Sequence, residues 1–130
     1  MPAAPRPTDA ELEILTILWS RGPSTVREIH EIASKRKPTQ YTTTLKVLQI
    51  MAEKGLVRRD EKSRAHIYEA ACARESTQTQ LAGDLLERAF AGSATLLMQG
   101  ALSARRASKS ELDNLRRLLD EYEGTHDDKP

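Results

Sequence analysis

The feature that most constrains the fold is a change of hydrophobic period at Gly55. Before this glycine, a segment that begins at Thr39 or Gln40 and ends at Lys54 places its apolar residues at helical spacing. Glycine readily adopts the left-handed conformation in which many helices end, so Gly55 is the expected stop. After it the helical spacing disappears. The sequence therefore predicts a helix that leads directly into β structure.

A hairpin is predicted from two short runs that flank a charged turn. Residues 56–59 read Leu-Val-Arg-Arg, residues 65–68 read Ala-His-Ile-Tyr, and residues 60–64 between them are polar or charged. Two such runs around a short polar turn are typical of an antiparallel strand pair. The chain is therefore expected to be mainly α with a small β-hairpin.

Two more helices are predicted ahead of the hairpin, each from a capping box. Thr8 is followed three residues later by Glu11, and Thr25 by Glu28, the pattern in which the two residues cap each other's backbone N–H groups. Three short helices followed by a hairpin is the element order of a winged helix-turn-helix. The two capped helices are expected to run to about Ser20 and about Lys35.

Apolar stripes continue beyond Ala73 and predict three further helices, the last opened by Ser108 and Glu111. These helices cannot close a core alone, so we expect their stripes to be buried in a homodimer. A monomeric bundle folded back on the winged helix is the alternative. Burying five or six Leu-sized side chains contributes about 1.5–3 kcal/mol each before ordering costs, which is ample for a dimer. The predicted dimerisation residues are Leu81, Leu85, Leu97, Met98, Leu112, Leu115, Leu118 and Leu119.

The chain is thus predicted to have four parts. Residues 1–7 are rich in proline and alanine and are predicted to be a disordered lead-in. Residues 8–72 are assigned to a winged-helix DNA-binding domain, and residues 73–124 to a helical dimerisation domain. Residues 125–130 are predicted to be a disordered tail.

Composition argues against several classes of function. Cys72 is the single cysteine, which excludes an intramolecular disulfide and a multi-thiolate metal site and favours a cytoplasmic protein. We interpret it as a small buried hydrophobe; a redox sensor would need an exposed thiol of low pKa. No apolar run approaches the roughly 20 residues that span a bilayer. With no Gly-rich phosphate loop or nucleophile motif, we expect no catalytic residue, metal or cofactor.

Positive charge is concentrated in one stretch of the chain. The formal net charge of the whole sequence is only +1, yet residues 35–64 contain nine basic and three acidic residues. A local excess of this kind is expected of a surface that faces phosphate, although many charge runs are merely solvated. Its meaning therefore depends on how the third helix and the hairpin present it.

The third helix has two contrasting faces when residues are placed at 100° intervals. One face carries hydroxyls, an amide and one cation with few carboxylates, the groups that contact base edges and phosphates. Thr42 and Thr43 are expected to meet phosphate at the helix start, and Lys46 and Gln49 to read bases. Ile50 on the same face is interpreted as packing under the hairpin, or as a contact for a thymine methyl. The face expected to be buried consists of Tyr41, Leu45, Leu48, Met51 and Ala52.

The hairpin supplies four more cations, which are expected to hold the DNA backbone and to add affinity and salt dependence with little sequence selectivity. The predicted partner is a double-stranded DNA operator. Two alternatives remain open: a hairpin whose charges serve only solubility, and a winged-helix interaction adaptor without DNA binding. A steep loss of binding with added salt would separate a DNA reader from an adaptor. The four cations are Arg58, Arg59, Lys62 and Arg64.

From about Thr8 to Glu123 the chain resembles the penicillinase repressor (BlaI/MecI-type) family of winged-helix transcriptional repressors. The resemblance is carried by the order and spacing of several motifs and is looser over the C-terminal helices. It implies a homodimeric repressor on a palindromic operator, with recognition helices in successive major grooves about 34 Å apart. The motifs whose order is most specific are Leu18-Trp19, Gly22-Pro23, Tyr41-Thr42-Thr43 and Lys54-Gly55-Leu56-Val57. The other matches are Glu13-Ile14-Leu15, Val26-Arg27-Glu28-Ile29, Val47-Leu48, Arg64 and Tyr68.

The resemblance also implies a route of release. In that family a membrane-anchored sensor metalloprotease triggers cleavage of the repressor in its dimerisation region, and the best-known members are cut at an Asn-Phe bond. The corresponding stretch here, near Gln99-Gly100, has no Asn-Phe pair. Copper-responsive relatives carry a C-terminal cysteine cluster, which this sequence lacks, so copper sensing is disfavoured.

Overall fold

A computed structural model describes residues 6–62 and 64–126. The chain forms two compact units that divide after Asp84. The described part is mainly α with one small sheet, as the sequence predicts. Its elements are α1 (Asp9–Arg21), β1 (Ser24–Thr25), α2 (Val26–Arg36), α3 (Tyr41–Lys54), β2 (Val57–Asp60), β3 (Ile67–Ala70), α4 (Arg74–Ala89), α5 (Ala94–Ala104) and α6 (Lys109–His126).

Local sequence signals fix the ends of the first three helices. The Thr8 hydroxyl accepts a bond from the Glu11 N–H at 3.2 Å, and the Glu11 carboxylate accepts one from the Thr8 N–H at 2.9 Å. Thr25 and Glu28 repeat this arrangement at 3.2 and 2.9 Å, so both predicted capping boxes are confirmed. Gly55 ends α3 with φ 81°, in the left-handed region where a side chain would be strained.

The sheet has three antiparallel strands in the order β1-β3-β2. The predicted hairpin is present, with its strands starting one and two residues later than expected. The sequence prediction missed β1, in which Ser24 and Thr25 pair with Tyr68 and Ile67. A two-residue strand leaves no alternating pattern to detect. Its effect is to tie the start of α2 to the hairpin.

The core of the first unit lies where α1, α2 and α3 meet the sheet. Leu15, Ile29, Leu48 and Met51 are fully buried, and Tyr68 of β3 is 1% exposed. Each side chain of this size contributes about 1.5–3 kcal/mol when removed from water. Because Leu48 and Met51 are anchored here, the orientation of α3 is fixed and its other face must point outward.

Trp19 connects α1 to the segment that follows β3. Its indole Nε1 donates a hydrogen bond to the carbonyl oxygen of Cys72 at 2.9 Å. The Cys72 side chain is half-buried and packs against the core, with Sγ 3.8 Å from the Leu56 carbonyl oxygen. This placement suits a small hydrophobe at the edge of the core.

A buried ion pair joins α1 to the last residue of α3. The Lys54 ammonium donates to both carboxylate oxygens of Glu11, at 2.8 and 3.0 Å, and the Glu11 side chain is only 4% exposed. Burial raises the pKa of Glu11, but the bonds from Lys54 and Thr8 outweigh it, so the pKa lies below its ordinary value. Glu11 therefore both caps α1 and holds the end of α3.

The second unit comprises the end of α4 together with α5 and α6. The predicted cap of α6 is present: the Ser108 hydroxyl accepts a bond from the Glu111 N–H at 3.1 Å. Helix α6 continues to His126, so the first two residues of the predicted tail are helical. The remaining tail, 127–130, and residues 1–5 of the predicted lead-in lie outside the described residues.

Candidate nucleic-acid interface

The polar face of α3 points outward as predicted. Leu48 and Met51 hold the opposite side of the helix in the core with no exposed surface. A reader of base edges needs this geometry, because the side chains must extend beyond the backbone of a helix that is itself rigidly held. All five predicted members of this face, Thr42, Thr43, Lys46, Gln49 and Ile50, are exposed.

Tyr41 departs from the prediction that it faces the core. It is 46% exposed, and its ring lies against the His30 ring with centroids 5.4 Å apart at 80°, an edge-to-face contact. Tyr41 is the first residue of α3, so it precedes the turns of the helix that pack on the core. The angle on a helical wheel places it with Leu48, but its position along the axis carries it past the core's edge.

A polar contact between α2 and α3 was not predicted. His30 Nδ1 lies 2.9 Å from the Thr44 hydroxyl, within hydrogen-bonding distance, and Thr44 is buried with 3% exposure. Since His30 also contacts Tyr41, it fixes the first turn of α3 at two points. Nothing local in the sequence signals this contact, because it pairs residues from different helices.

Two of the four hairpin cations have partners within the hairpin. The Arg58 guanidinium pairs with Glu69 across the strands at 3.2 Å, and the Arg59 guanidinium pairs with Glu61. The hydrogen bond from Arg59 lowers the pKa of Glu61. The other two, Lys62 and Arg64, are exposed near the tip of the hairpin.

The two halves of α3 differ in the charge of the grooves beside them. Beside its C-terminal half, next to β2, a groove is lined by Gln49 and Arg59 together with the carboxylates of Glu53 and Glu61. The Glu61 hydrogen bond, followed by one with Tyr68, raises the pKa of the Arg59 guanidinium. The charge of Arg59 is thus offset in part by Glu61, and this groove is less attractive to phosphate than its cation suggests.

Beside the N-terminal half of α3, sequence reasoning missed a cluster that includes Arg27 and His66. These residues lie with Arg64 around a groove beside Tyr41. The available signal was a cation in the first turn of a helix, a position that the helix dipole disfavours and that calls for an explanation.

Five of the eight predicted dimerisation residues border an open groove between α5 and α6, with a volume of about 630 Å³; the other three, Leu81, Leu85 and Leu97, do not line it. No residue of α5 is buried, and Leu118 and Leu119 of α6 are 45% and 65% exposed. Apolar side chains this exposed on two adjacent helices mark a surface that gains from being covered. Its members include Met98, Leu102, Leu112, Leu115, Leu118 and Leu119.

Within the described ranges, no group of His, Cys, Asp and Glu side chains could hold a metal ion. No helix in the same residues is both long and apolar enough to cross a membrane.

Comparison with known proteins bears on this geometry. The family model described as penicillinase repressor matches residues 7–121. The chain is 38% identical over 125 residues to the transcriptional regulator BlaI of Mycobacterium tuberculosis, in strains CDC 1551 / Oshkosh and ATCC 25618 / H37Rv; the alignment covers 94% of this chain and 88% of each relative. Among solved structures, the DNA binding domain of the repressor BlaI matches with a TM-score of 0.51 at 23% identity, over 57% of this chain and 90% of that domain. This last likeness shows a shared winged-helix fold.

Proposed function

The chain belongs to the penicillinase repressor family of transcriptional repressors, and from this premise we propose that it binds a palindromic DNA operator as a homodimer. In this proposal α3 enters the major groove, where Lys46 and Gln49 contact base edges. Thr42, Thr43 and the hairpin cations contact the phosphate backbone and set the register.

The observation that carries the proposal is the exposed polar face of α3. It presents two hydroxyls, an amide and an ammonium on a helix whose other side is locked in the core. An amide and an ammonium can bond to adenine and guanine edges respectively, while hydroxyls suit phosphate. The five predicted members of the face include no carboxylate, which would repel the backbone; the carboxylate of Glu53 lies one turn beyond Gln49, towards the C-terminal end of α3.

Dimerisation is proposed to use the groove between α5 and α6. Most of the large apolar side chains that border it are exposed in the single chain, and an equivalent helix from a second copy would cover them. The exposed ones are Met98, Leu102, Leu118 and Leu119. A two-fold dimer places two copies of α3 on the same face of the DNA, which matches a palindromic site. The monomeric alternative leaves this groove open.

Release by proteolysis is the finer part of the proposal, with a membrane-anchored sensor metalloprotease as the partner that the family resemblance implies. Gln99 lies in α5 and lines the groove between α5 and α6. A cut near Gln99 would divide α5 and remove one wall of the proposed dimer surface. The two α3 helices would then no longer be held together on the operator.

The base-reading role predicts the behaviour of the double variant Lys46→Ala, Gln49→Ala. It should fold normally, since both side chains are exposed, and bind the operator at least several-fold more weakly. The operator is first selected from a random DNA pool with the unaltered protein. Gel-shift titration then compares this site with an unrelated duplex, on which the loss should be smaller because base contacts carry the specificity.

A matched control removes one lysine and one glutamine from exposed helical positions elsewhere, as Lys109→Ala with Gln78→Ala. It should bind both duplexes as the unaltered protein does. An unchanged titration for the Lys46 and Gln49 variant would overturn the assignment of these residues. Absence of a salt-dependent DNA complex for the unaltered protein would instead favour an interaction adaptor.

A further inference from the structure

We propose that the groove between the first turn of α2, the first turn of α3 and the tip of the hairpin binds a phosphate of the operator backbone. We call it the Arg27 groove. The inference rests on the proposed DNA binding and deepens it, by assigning contacts to residues outside the polar face of α3. Its lining includes Thr25, Arg27, Tyr41, Leu45, Arg64 and His66.

The Arg27 groove adjoins the face of α3 that we propose reads bases. It has a volume of about 560 Å³, and Tyr41 and Leu45 form its α3 wall. Thr42 and Lys46 follow these two residues in sequence, so they project from the next row of the same helix. A strand whose bases meet Lys46 would therefore pass its backbone beside the groove.

Electrostatics favours an anion in this groove over the groove beside the C-terminal half of α3. Among the described residues, those that line the Arg27 groove include no carboxylate, and neither Arg27 nor Arg64 forms an ion pair. The groove on the β2 side holds Glu53 and Glu61. Two cations without an internal partner gain more from a phosphate than Arg59, which must first give up the Glu61 carboxylate.

Arg27 occupies a position that folding does not favour. It is the second residue of α2, where the helix dipole repels a positive charge, and its side chain is exposed. A cation at this position lowers the stability of the fold and has no ion-pair partner among the described residues that offsets the cost. Its presence is explained if the charge is used to bind a ligand. The charge faces the groove that Arg64 approaches from the hairpin tip.

Tyr41 supplies an oriented hydroxyl to the same groove. The edge-to-face contact with His30 holds its ring, and His30 is itself held within hydrogen-bonding distance of Thr44. An aromatic side chain fixed in this way loses little conformational entropy on binding, so its hydroxyl can donate to a phosphate oxygen at low cost. This contact explains why an aromatic residue is 46% exposed at the start of α3.

The test measures binding against salt concentration for the full-length chain on the selected operator and on an unrelated duplex of equal length. Arg27→Ala should weaken binding to both duplexes by about tenfold at low salt. It should also reduce the slope of log affinity against log salt by about one for each bound protomer, as expected for a lost phosphate contact. Arg27→Lys should keep the slope. Tyr41→Phe should lose affinity with an unchanged slope, because a neutral hydroxyl releases no counterion.

Unfolding curves distinguish this role from a structural one. The melting temperature of Arg27→Ala should equal or exceed that of the unaltered protein, because alanine removes the unfavourable charge from the helix start. Arg36→Ala, at the other end of the same helix, serves as the matched control and should retain the slope.

An unchanged affinity and slope for Arg27→Ala, with normal binding by the unaltered protein, would overturn the Arg27 groove alone. A loss confined to the selected operator would also overturn it, because a phosphate contact weakens all sequences alike. Failure of the unaltered protein to bind either duplex would instead overturn the proposed function itself.

Discussion

A chain that carries Leu118→Asp and Leu119→Asp is expected to sediment as a monomer and to bind its operator about 10²-fold more weakly or worse. These two leucines are 45% and 65% exposed and border the groove between α5 and α6. Carboxylates at both positions would lose their water in the dimer. The apolar surface of the second copy offers no partner that would offset this desolvation cost. Without the dimer, each winged helix binds one half-site alone and loses the 10²–10⁴-fold advantage of a linked second site.

The matched control changes the charge of α6 by the same amount on its opposite side, as Ser110→Asp with Arg117→Gln. Both positions are exposed, and neither borders the groove between α5 and α6. This control should sediment and bind as the unaltered protein does, and circular dichroism should show equal helix content in all three proteins. A Leu118 and Leu119 variant that remains dimeric would show that the two copies meet elsewhere.

How far the sequence predicts the fold depends on how local each signal is. The capping boxes at Thr8 and Thr25 and the stop at Gly55 involve residues within one turn of each other, and all are present as predicted. β1 was not predicted, because its two residues form a strand only through their pairing with β3. The hairpin was identified, but Asp60, the last residue of β2, was assigned to the turn because it is charged.

In the candidate site, too, local patterns are predicted correctly and contacts between elements are not. The outward face of α3 follows from helical period alone, and its members are exposed as expected. Tyr41 was misplaced because a helical wheel records angle and ignores distance along the axis. The pairing of Arg58 with Glu69 depends on strand register, which composition does not give. Sequence reasoning counted cations, whereas the structure shows which of them already have partners.

Loss of the buried ion pair between Glu11 and Lys54 is expected to lower the stability of the fold. Glu11→Gln preserves the size of the side chain and its ability to accept a bond from the Thr8 N–H, but it removes the charge. We expect the free energy of unfolding at neutral pH to fall by about 1–3 kcal/mol, the usual range for a lost hydrogen bond to a charged group in a buried setting. The loss stays below that of a fully buried pair, because the Lys54 side chain is 32% exposed and can turn towards water.

The stability that Glu11 contributes is expected to fall as the pH is lowered. The folded-state pKa of Glu11 lies below its ordinary value, so its charged form stabilises the fold. That contribution is complete above the unfolded-state pKa of about 4.3 and is lost as pH falls through the lower folded-state value. The stability difference between the unaltered protein and Glu11→Gln should therefore be constant near neutrality and shrink on acidification. Denaturant titrations at a series of pH values measure it directly.

Glu28→Gln is the control that separates the ion pair from the capping box. Glu28 holds the equivalent position in the capping box of α2, and its pKa is also lowered, first by the bond from the Thr25 N–H and then by Arg21. Its side chain and that of Arg21 are 41% and 44% exposed, so solvent screens the pair. Glu28→Gln should therefore cost less than Glu11→Gln. Equal losses would mean that Glu11 acts only as a cap, and that Lys54 does not tie the end of α3 to α1.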